Sequence, residues 1–532
     1  MGQIKVCGPV RHWGQIARFR WLAVILLAAW QAEHVQCRLQ PTRGGALDGS
    51  EEWGYTEVRE GAHTFWWLYY SNATLASVHD ATVPLVLWLQ GGPGASGVGF
   101  GNFAEIGPLN LNLEPRPHTW LQKAHLLFVD NPVGTGFSYV EKASQLTRTN
   151  AEIAADLVAF AAAFFEEHPA LQATPFYIIC ESYGGKMTGE FGLELHRAVQ
   201  KGQVKTNFRG VALGDSWISP IDYVLAWGPL LQSYSLVDRV ETDAIQKFAD
   251  ATERALEADA FTNATSLWAA TEDIIETYSE NVNFYNLLLH SPPNLASDEC
   301  SKSERLAWSE AVLESVERNL QRVSEARASQ QSLRLRRKRP QNMGATDQTV
   351  RKLHAAALDT EEGAVSGGAL FAEAVEKLRT KYVDRLHTDP LDGLMNGPIR
   401  QKLGIIPKNV RWGGQSTQVF ARLAGDFMKP VVDKVEALLA TGVSVTVYSG
   451  QLDLICCTTG TQAWMQSSKW PGLDTWNKAQ RQPIYVEASP QVVAFVKASD
   501  NLAFYWILNA GHMVPADVPV VGLELLTRIT RS

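Results

Sequence analysis

Cysteine is scarce, with six residues in a chain of 532, and no pair stands at the spacing of a zinc site. Cys7 and Cys37 fall in an N-terminal leader, leaving Cys180, Cys300, Cys456 and Cys457, too few to staple a chain of this length. Cys456 and Cys457 are adjacent, where bridging geometry is poor. Positive charge is not in excess: 48 Lys and Arg stand against 56 Asp and Glu, a net charge of −8. That balance argues against general nucleic-acid binding, which needs a basic face. Long apolar runs are missing too. The best one, Trp21 to Trp30, has ten residues, and a membrane-spanning helix needs about 20. No stable membrane insertion is therefore expected. There is no internal repeat, and nothing in the sequence requires a cofactor or a metal ion. What is present is ample core material, since 45% of residues are hydrophobic and 10% aromatic, which excludes a disordered chain. The length fits one large α/β domain with an insertion, or two to four domains of roughly 100–200 residues each.

The first residues read as an address. Lys5, Arg11, Arg18 and Arg20 precede the apolar stretch, and Val35-Gln-Cys37 supplies small residues for cleavage. Residues 1–37 are thus expected to be a signal peptide, with an uncleaved anchor as the competing reading. Its removal takes away four positive charges and Glu33, moving the net charge from −8 to −11. The sequons Asn72-Ala-Thr and Asn263-Ala-Thr are candidate glycosylation sites and agree with a secreted or lysosomal protein.

Beyond the leader, strand and helix patterns alternate. Phe65–Tyr70, Leu85–Leu89, Leu126–Val129, Phe176–Ile179, Val211–Leu213, Val443–Tyr448 and Leu502–Leu508 are near-continuous apolar runs, as expected of strands covered on both faces. Ala151 to His168 has a helical Ala/Leu/Phe face and ends before Pro169. This alternation predicts an α/β fold with a mostly parallel sheet. Residues 38–217 form its first part and 396–532 its second. Residues 218–395 are expected to be a helical cap insertion. In it, Leu306, Leu313, Val316, Leu320 and Val323 mark an amphipathic helix. The basic run Arg334-Leu-Arg-Arg-Lys-Arg339 lies in its flexible middle and reads as a solvated loop, a processing site or a polyanion patch.

Four short segments carry chemistry. In Cys180-Glu-Ser-Tyr-Gly-Gly185, a Ser lies between a strand and a helix, with glycines after it that permit a sharp turn. Cys180 occupies the first glycine position of G-x-S-x-G and is small enough to be accommodated. Trp88-Leu-Gln-Gly-Gly-Pro-Gly94 follows a strand, and its glycines can present backbone N–H groups to a developing oxyanion. Tyr448-Ser-Gly-Gln-Leu-Asp453 and Ala510-Gly-His-Met-Val-Pro515 place an Asp and a His after two further strands. Each segment alone is an ordinary turn. Their order, Ser182, Asp453, His512, is the chain order of α/β-hydrolase triads.

Together with Gly101-Asn-Phe-Ala-Glu-Ile-Gly-Pro108, Phe128–Tyr139, Gly214-Asp-Ser-Trp-Ile-Ser-Pro220, Asn281-Val-Asn-Phe-Tyr285 and Leu394-Met-Asn-Gly-Pro-Ile399, these segments resemble the serine carboxypeptidase family. The likeness covers roughly residues 53–290 and 385–530. It implies an α/β-hydrolase fold with a helical cap insertion. It also implies an enzyme that releases C-terminal residues from peptides or proteins through an acyl-enzyme, without cofactor or metal. Ser182 would be the nucleophile, His512 the general base, Asp453 its orienting carboxylate, and the N–H groups of Gly92 and Tyr183 the oxyanion hole. Gln90, Gly91 and Glu181 would bind the substrate carboxylate, with Cys456 and Met513 near the pocket for the released residue. Two departures stand out: Gln90 replaces the family's usual Asn, and Ala95 replaces a frequent Cys. A homodimer, an esterase or acyltransferase on the same triad, and a non-catalytic protective or binding protein remain open from sequence. Cys457 has no derivable role.

Overall fold

A computed structural model describes residues 43–71, 82–290, 302–337, 390–487 and 489–531. The expected leader, Asn72 and Cys300 lie outside the described residues, as does all of 338–389, which includes the end of the basic run. The described residues from Gly44 onward pack as one unit.

Its frame is a twelve-stranded sheet. Six strands are parallel and central: β5 (His125–Val129), β4 (Leu85–Leu89), β7 (Pro175–Ser182), β8 (Asn207–Ser216), β9 (Ser444–Gly450) and β12 (Leu502–Ile507), in that spatial order. Antiparallel strands close the edges. β2 (Glu51–Arg59) and β3 (Ala62–Tyr69) flank β5, and β11 (Ser489–Ser499) and β10 (Gln482–Val486) flank β12. The apolar runs behave as the period of a strand dictates. In β4, Leu85, Leu87 and Leu89 enter the core on one face, and Val86 and Trp88 enter the core on the other. In β7, Phe176, Ile178 and Cys180 are opposed in the same way by Tyr177 and Ile179. A strand buried on both faces has no polar positions, which is why these segments were visible in the sequence. The edge strands β2 and β10 mix polar and apolar residues and carry no continuous apolar run, whereas β11 holds the run Val492–Val496, a strand signal that was missed.

Helix α1 (Asn150–Glu167) starts on a capping box made by Thr149 and Glu152, and α2 (Tyr183–Gln200) starts on Ser182. The interval after β8 is helical among the described residues: α3 (Pro220–Ser233), α4 (Arg239–Glu257), α5 (Phe261–Tyr278) and α6 (Lys302–Arg337). Its one paired extended contact is an isolated bridge, Val282 to His290. Helix α6 buries Leu313 and Val316 from the expected apolar stripe, together with Val312, which lay outside it. It also runs through Arg337, so the beginning of the basic run is helix and not loop. High helix propensity of the Arg, Gln, Leu and Ala residues there carries the helix on.

One buried ion pair ties the two sequence-distant parts of the core together. Lys186, in α2, is fully buried and holds Asp426 Oδ2 at 3.1 Å. Its ammonium also donates to the carbonyl oxygens of Asp426 and Lys429, which join α7 (Thr417–Phe427) to α8 (Val432–Ala440). Burial lowers the Lys186 pKa from 10.5 to about 8, against the pull of Asp426. Such a pair adds little net stability, yet removing one partner strands the other. Lys186→Met is therefore expected to cost about 3–5 kcal/mol, read as a lowered urea midpoint of tryptophan fluorescence. A midpoint equal to wild type would show that the pair is dispensable.

Candidate active site

The chemistry-bearing segments converge on the C-terminal ends of the parallel strands, where ligand sites of open α/β sheets form. Gln90 to Gly94 follow β4, Ser182 ends β7, Asp215 lies near the end of β8, Asp453 follows β9, and His512 follows β12.

Ser182 sits on a strained turn with φ 60° and ψ −129°, a conformation a non-glycine residue adopts at a cost. Close neighbours enforce it. A Cβ on Gly184 would lie 2.4 Å from the Leu89 carbonyl oxygen, so no larger residue fits there. A Cβ on Gly91 would lie 2.4 Å from the Ser182 Cβ and 2.9 Å from the Tyr183 nitrogen. The Gly91-Gly92 backbone thus passes directly against the Ser182 turn. Tyr183, as the first residue of α2, has no intrahelical acceptor for its N–H. Cys180 is buried on β7, and its thiol contacts the Ala212 carbonyl at 3.2 Å.

Asp453 and His512 are both buried, and His512 Nδ1 lies 2.9 Å from Asp453 Oδ2. The Cys456 N–H donates to Asp453 Oδ1 at 3.3 Å. The backbone of His512 is fixed from the helical interval, since its N–H donates to the Tyr285 carbonyl at 2.8 Å. The Tyr285 ring also packs on the imidazole at 5.1 Å. Burial lowers the His512 pKa below 6.5 despite nearby carboxyl groups. The imidazole is therefore neutral, with one nitrogen engaged by Asp453. Asp453, Cys456 and His512 bring donor atoms within 4.8 Å of one another. The Asp–His hydrogen bond accounts for that grouping, and burial and neighbouring carboxyls push the Cys456 thiol up, away from the thiolate a metal takes.

Beside Ser182 lies a second constellation. Gln90 Nε2 donates to Glu181 Oε1 at 2.8 Å and contacts Glu105 Oε1 at 3.2 Å, while the Trp88 indole N–H donates to Gln90 Oε1 at 2.7 Å. The amide nitrogen of Gln90 thus bridges both carboxyl groups. Glu105 and Glu181 are buried and in hydrogen-bonding contact, and burial pushes both up. The adjacent Glu105 pushes Glu181 well above its ordinary 4.5. Two carboxylates in contact cannot both ionise in a buried site, so Glu181 is the protonated member. Glu105 rides on the helical segment Gly97–Ile106, whose first turn is anchored by Ser96 and Asp130.

The sequence pointed to Gln90, Gly91, Gly92, Glu181, Ser182, Tyr183, Asp453, Cys456 and His512, and all lie at these strand ends. Met513, half-buried, directly follows His512 and caps the short helix Val514–Asp517. Asn263 is half-buried in the first turn of α5, and the Thr265 hydroxyl of its sequon donates to the Ala424 carbonyl at 2.8 Å. Cys457 packs as the residue before helix Thr458–Ser467, taking a contact from Thr459 Oγ1 at 3.3 Å. Cys180, Cys456 and Cys457 are free thiols. Glu105, Asp215 and Tyr285 were missed as site residues, although each lies inside a segment carrying the family resemblance. Nothing in their local pattern distinguishes them from ordinary loop or strand-end residues.

Comparison with known proteins agrees with this architecture. The family model for serine carboxypeptidases matches residues 41–532. Retinoid-inducible serine carboxypeptidase of Mus musculus is 42% identical over 495 residues, 92% of this chain and 94% of the mouse protein. Serine carboxypeptidase-like 51 of Arabidopsis thaliana is 40% identical over 491 residues, 91% of this chain and 93% of the plant protein. Among solved structures, the prohormone-processing carboxypeptidase Kex1(delta)p of Saccharomyces cerevisiae superposes with a TM-score of 0.65 at 18% identity. That match covers 90% of this chain and 91% of the yeast chain, a likeness of fold. The chain belongs to the serine carboxypeptidase family: it is a serine-type carboxypeptidase on the α/β-hydrolase fold.

Proposed function

We propose that Ser182, His512 and Asp453 form the triad of this carboxypeptidase, and that Gln90, Gly91, Glu105 and Glu181 hold the C-terminal carboxylate of its peptide substrate. The observation that carries the proposal is the buried carboxyl pair Glu105 and Glu181, bridged by the Gln90 amide next to Ser182. A neutral Glu181 donates a hydrogen bond to a carboxylate, whereas an ionised one would repel it. A free C-terminus is thus the group this corner accepts.

In the reaction, the Ser182 hydroxyl gives its proton to the free nitrogen of His512, and Oγ attacks the carbonyl carbon of the last peptide bond. The oxygen becomes an oxyanion, bound by the N–H groups of Gly92 and Tyr183. Asp453 holds the imidazole through Nδ1 and stabilises the imidazolium. That cation then protonates the leaving nitrogen, the C–N bond breaks, and the terminal amino acid departs past Cys456 and Met513. Water attacks the remaining ester, again through His512, and Ser182 is restored. No helix among the described residues is long and apolar enough to cross a membrane. With a signal peptide over residues 1–37, the enzyme would work in an acidic secretory or lysosomal compartment, where Glu181 keeps its proton.

Two substitutions test the triad. Ser182→Ala should abolish labelling by a fluorophosphonate while leaving the thermal midpoint within a few degrees. Equal labelling of wild type and variant would identify another nucleophile. Gly91→Ala should lower kcat by about 10²-fold, because the added carbon lies 2.4 Å from the Ser182 Cβ. Unchanged kcat would separate the Gly91-Gly92 strand end from the chemistry.

The pH dependence follows from two opposed shifts. Activity on a free C-terminus needs neutral His512 and protonated Glu181. Burial lowers the first below 6.5 and raises the second well above 4.5, so both shifts widen the active window. The rate should rise as pH climbs through the His512 pKa and fall as Glu181 loses its proton, giving a bell for kcat/KM. An ester or a C-terminally amidated peptide has no carboxylate to bind, so its alkaline fall should be missing. Glu181→Gln, which keeps a donor, should flatten the fall for free peptides. Superimposable profiles for free-acid and amidated peptides would remove Glu181 from carboxylate binding.

A further inference from the structure

The mechanism leaves unused one buried acid that contacts the Asp453 carboxyl group. Asp215 lies near the end of β8, fully buried, with a left-handed φ of 38° that an aspartate adopts only under constraint. Its Oδ1 accepts the Gly450 N–H at 2.7 Å, at the point where β9 ends and the chain turns toward Asp453. Its Oδ2 is buried, with no N–H or O–H donor turned toward it. The carboxyl group is instead in hydrogen-bonding contact with that of Asp453.

A second pair of buried carboxyl groups in contact requires a proton, because two anions there would repel. The surroundings decide where it sits. Both oxygens of Asp453 already face nitrogen, Oδ2 toward His512 Nδ1 and Oδ1 toward the Cys456 N–H. A proton on either would oppose a donor. Asp215 Oδ1 faces an N–H as well. Asp215 Oδ2 alone has room for a hydrogen. We infer that Asp215 is a positioning acid, whose O–H donates to Asp453 and holds the carboxylate that orients His512. This rests on the proposed roles of Asp453 and His512.

The groups acting on Asp215 from the neighbouring elements are consistent with a neutral acid. They are Asp453 and Cys456 from the loop after β9, Tyr448 on β9, Glu181 on β7, and His512 after β12. Of these, only His512 can become a cation. Burial and the Asp453 charge both push Asp215 well above its ordinary 3.8. With Asp215 neutral, the Asp453 charge is single, and it balances the imidazolium formed during turnover.

The test compares wild type, Asp215→Asn and Asp215→Leu on a blocked amino-acid ester, whose hydrolysis does not call on Glu181. The amide of Asn reproduces the arrangement: its NH₂ donates to Asp453 and its oxygen accepts from Gly450. Asp215→Asn should keep kcat within about threefold of wild type, and its acid limb within about 0.3 pH unit, because a neutral group replaces a neutral group. Asp215→Leu should lose at least about tenfold in kcat with KM little changed, as expected when an orienting hydrogen bond is lost. The low-field proton resonance of the His512–Asp453 hydrogen bond reads the same arrangement without turnover. It should persist in Asp215→Asn and shift or vanish in Asp215→Leu. If the leucine variant does not fold, Asp215→Asn decides alone. A fall of its acid limb by about one unit would mean that an anion was removed, and would overturn the inference. So would a loss of the low-field proton in Asp215→Asn. Fluorophosphonate labelling of wild type keeps the two proposals apart. Failure to label would sink the triad, while the resonance would still report whether Asp215 holds Asp453.

Discussion

Four carboxyl groups, Glu105, Glu181, Asp215 and Asp453, are buried at this end of the sheet, and among the described residues no lysine or arginine forms an ion pair with any of them. Four anions could not share such a volume, because neither water nor a counter-ion would screen them. The acids therefore pair by hydrogen bonding, Glu105 with Glu181 and Asp215 with Asp453, and each pair retains a proton. Everything proposed for the site depends on that economy of charge. One pair offers a neutral donor where a substrate carboxylate binds, and the other offers a single oriented anion where an imidazolium forms. His512, hydrogen-bonded to Asp453, is the group that takes up a positive charge during turnover.

The parallel sheet makes this crowding attainable. Its central strands end at nearly one level, with β7 beside both β4 and β8 and with β9 next to β12. Residues that are far apart in sequence, such as Gln90 and Glu181, come within hydrogen-bonding distance because β4 and β7 are paired in register from Leu85–Phe176 to Leu89–Cys180. One residue beyond the last pair, Gln90 meets Glu181. The helices after β8 contribute differently. They send Tyr285 back to the imidazole, so that the backbone of His512 is held from outside the sheet.

The parts that could be read in the sequence were those whose physical cause is local. A short continuous apolar run bounded by turn signals has to be a strand or helix core, and a Ser after such a run, with glycines two and three residues on, is free to turn sharply. The central strands and Ser182 were legible for that reason. Asp453 and His512 became legible through their order along the chain. The edge strands β2 and β10 were not, because a strand packed on one side carries a mixed pattern that a loop can match, while the run Val492–Val496 of β11 was simply missed. Glu105, Asp215 and Tyr285 were not, because their significance lies in what stands opposite them. A glutamate on a short helical segment and an aspartate at a strand end are ordinary until the fold removes water and sets another carboxyl group against each.

The two acid pairs also differ in a way that bears on how the site responds to pH. The Glu105–Glu181 pair opens toward substrate, and a bound carboxylate adds a third negative group beside it. Binding therefore strengthens the hold of Glu181 on its proton, since the charged form is penalised further when the site is filled. The Asp215–Asp453 pair faces a base that becomes positive during turnover. A cation there favours the ionised form of its neighbours, so the attraction that stabilises Asp453 also weakens the hold of Asp215 on its proton. A strong hydrogen bond from Asp215 to Asp453 opposes that loss, because the proton lies on the line between the two groups. The substrate side of the site is thus self-reinforcing, while the base side depends on geometry, which is where the strained backbone of Asp215 and its tie to Gly450 act.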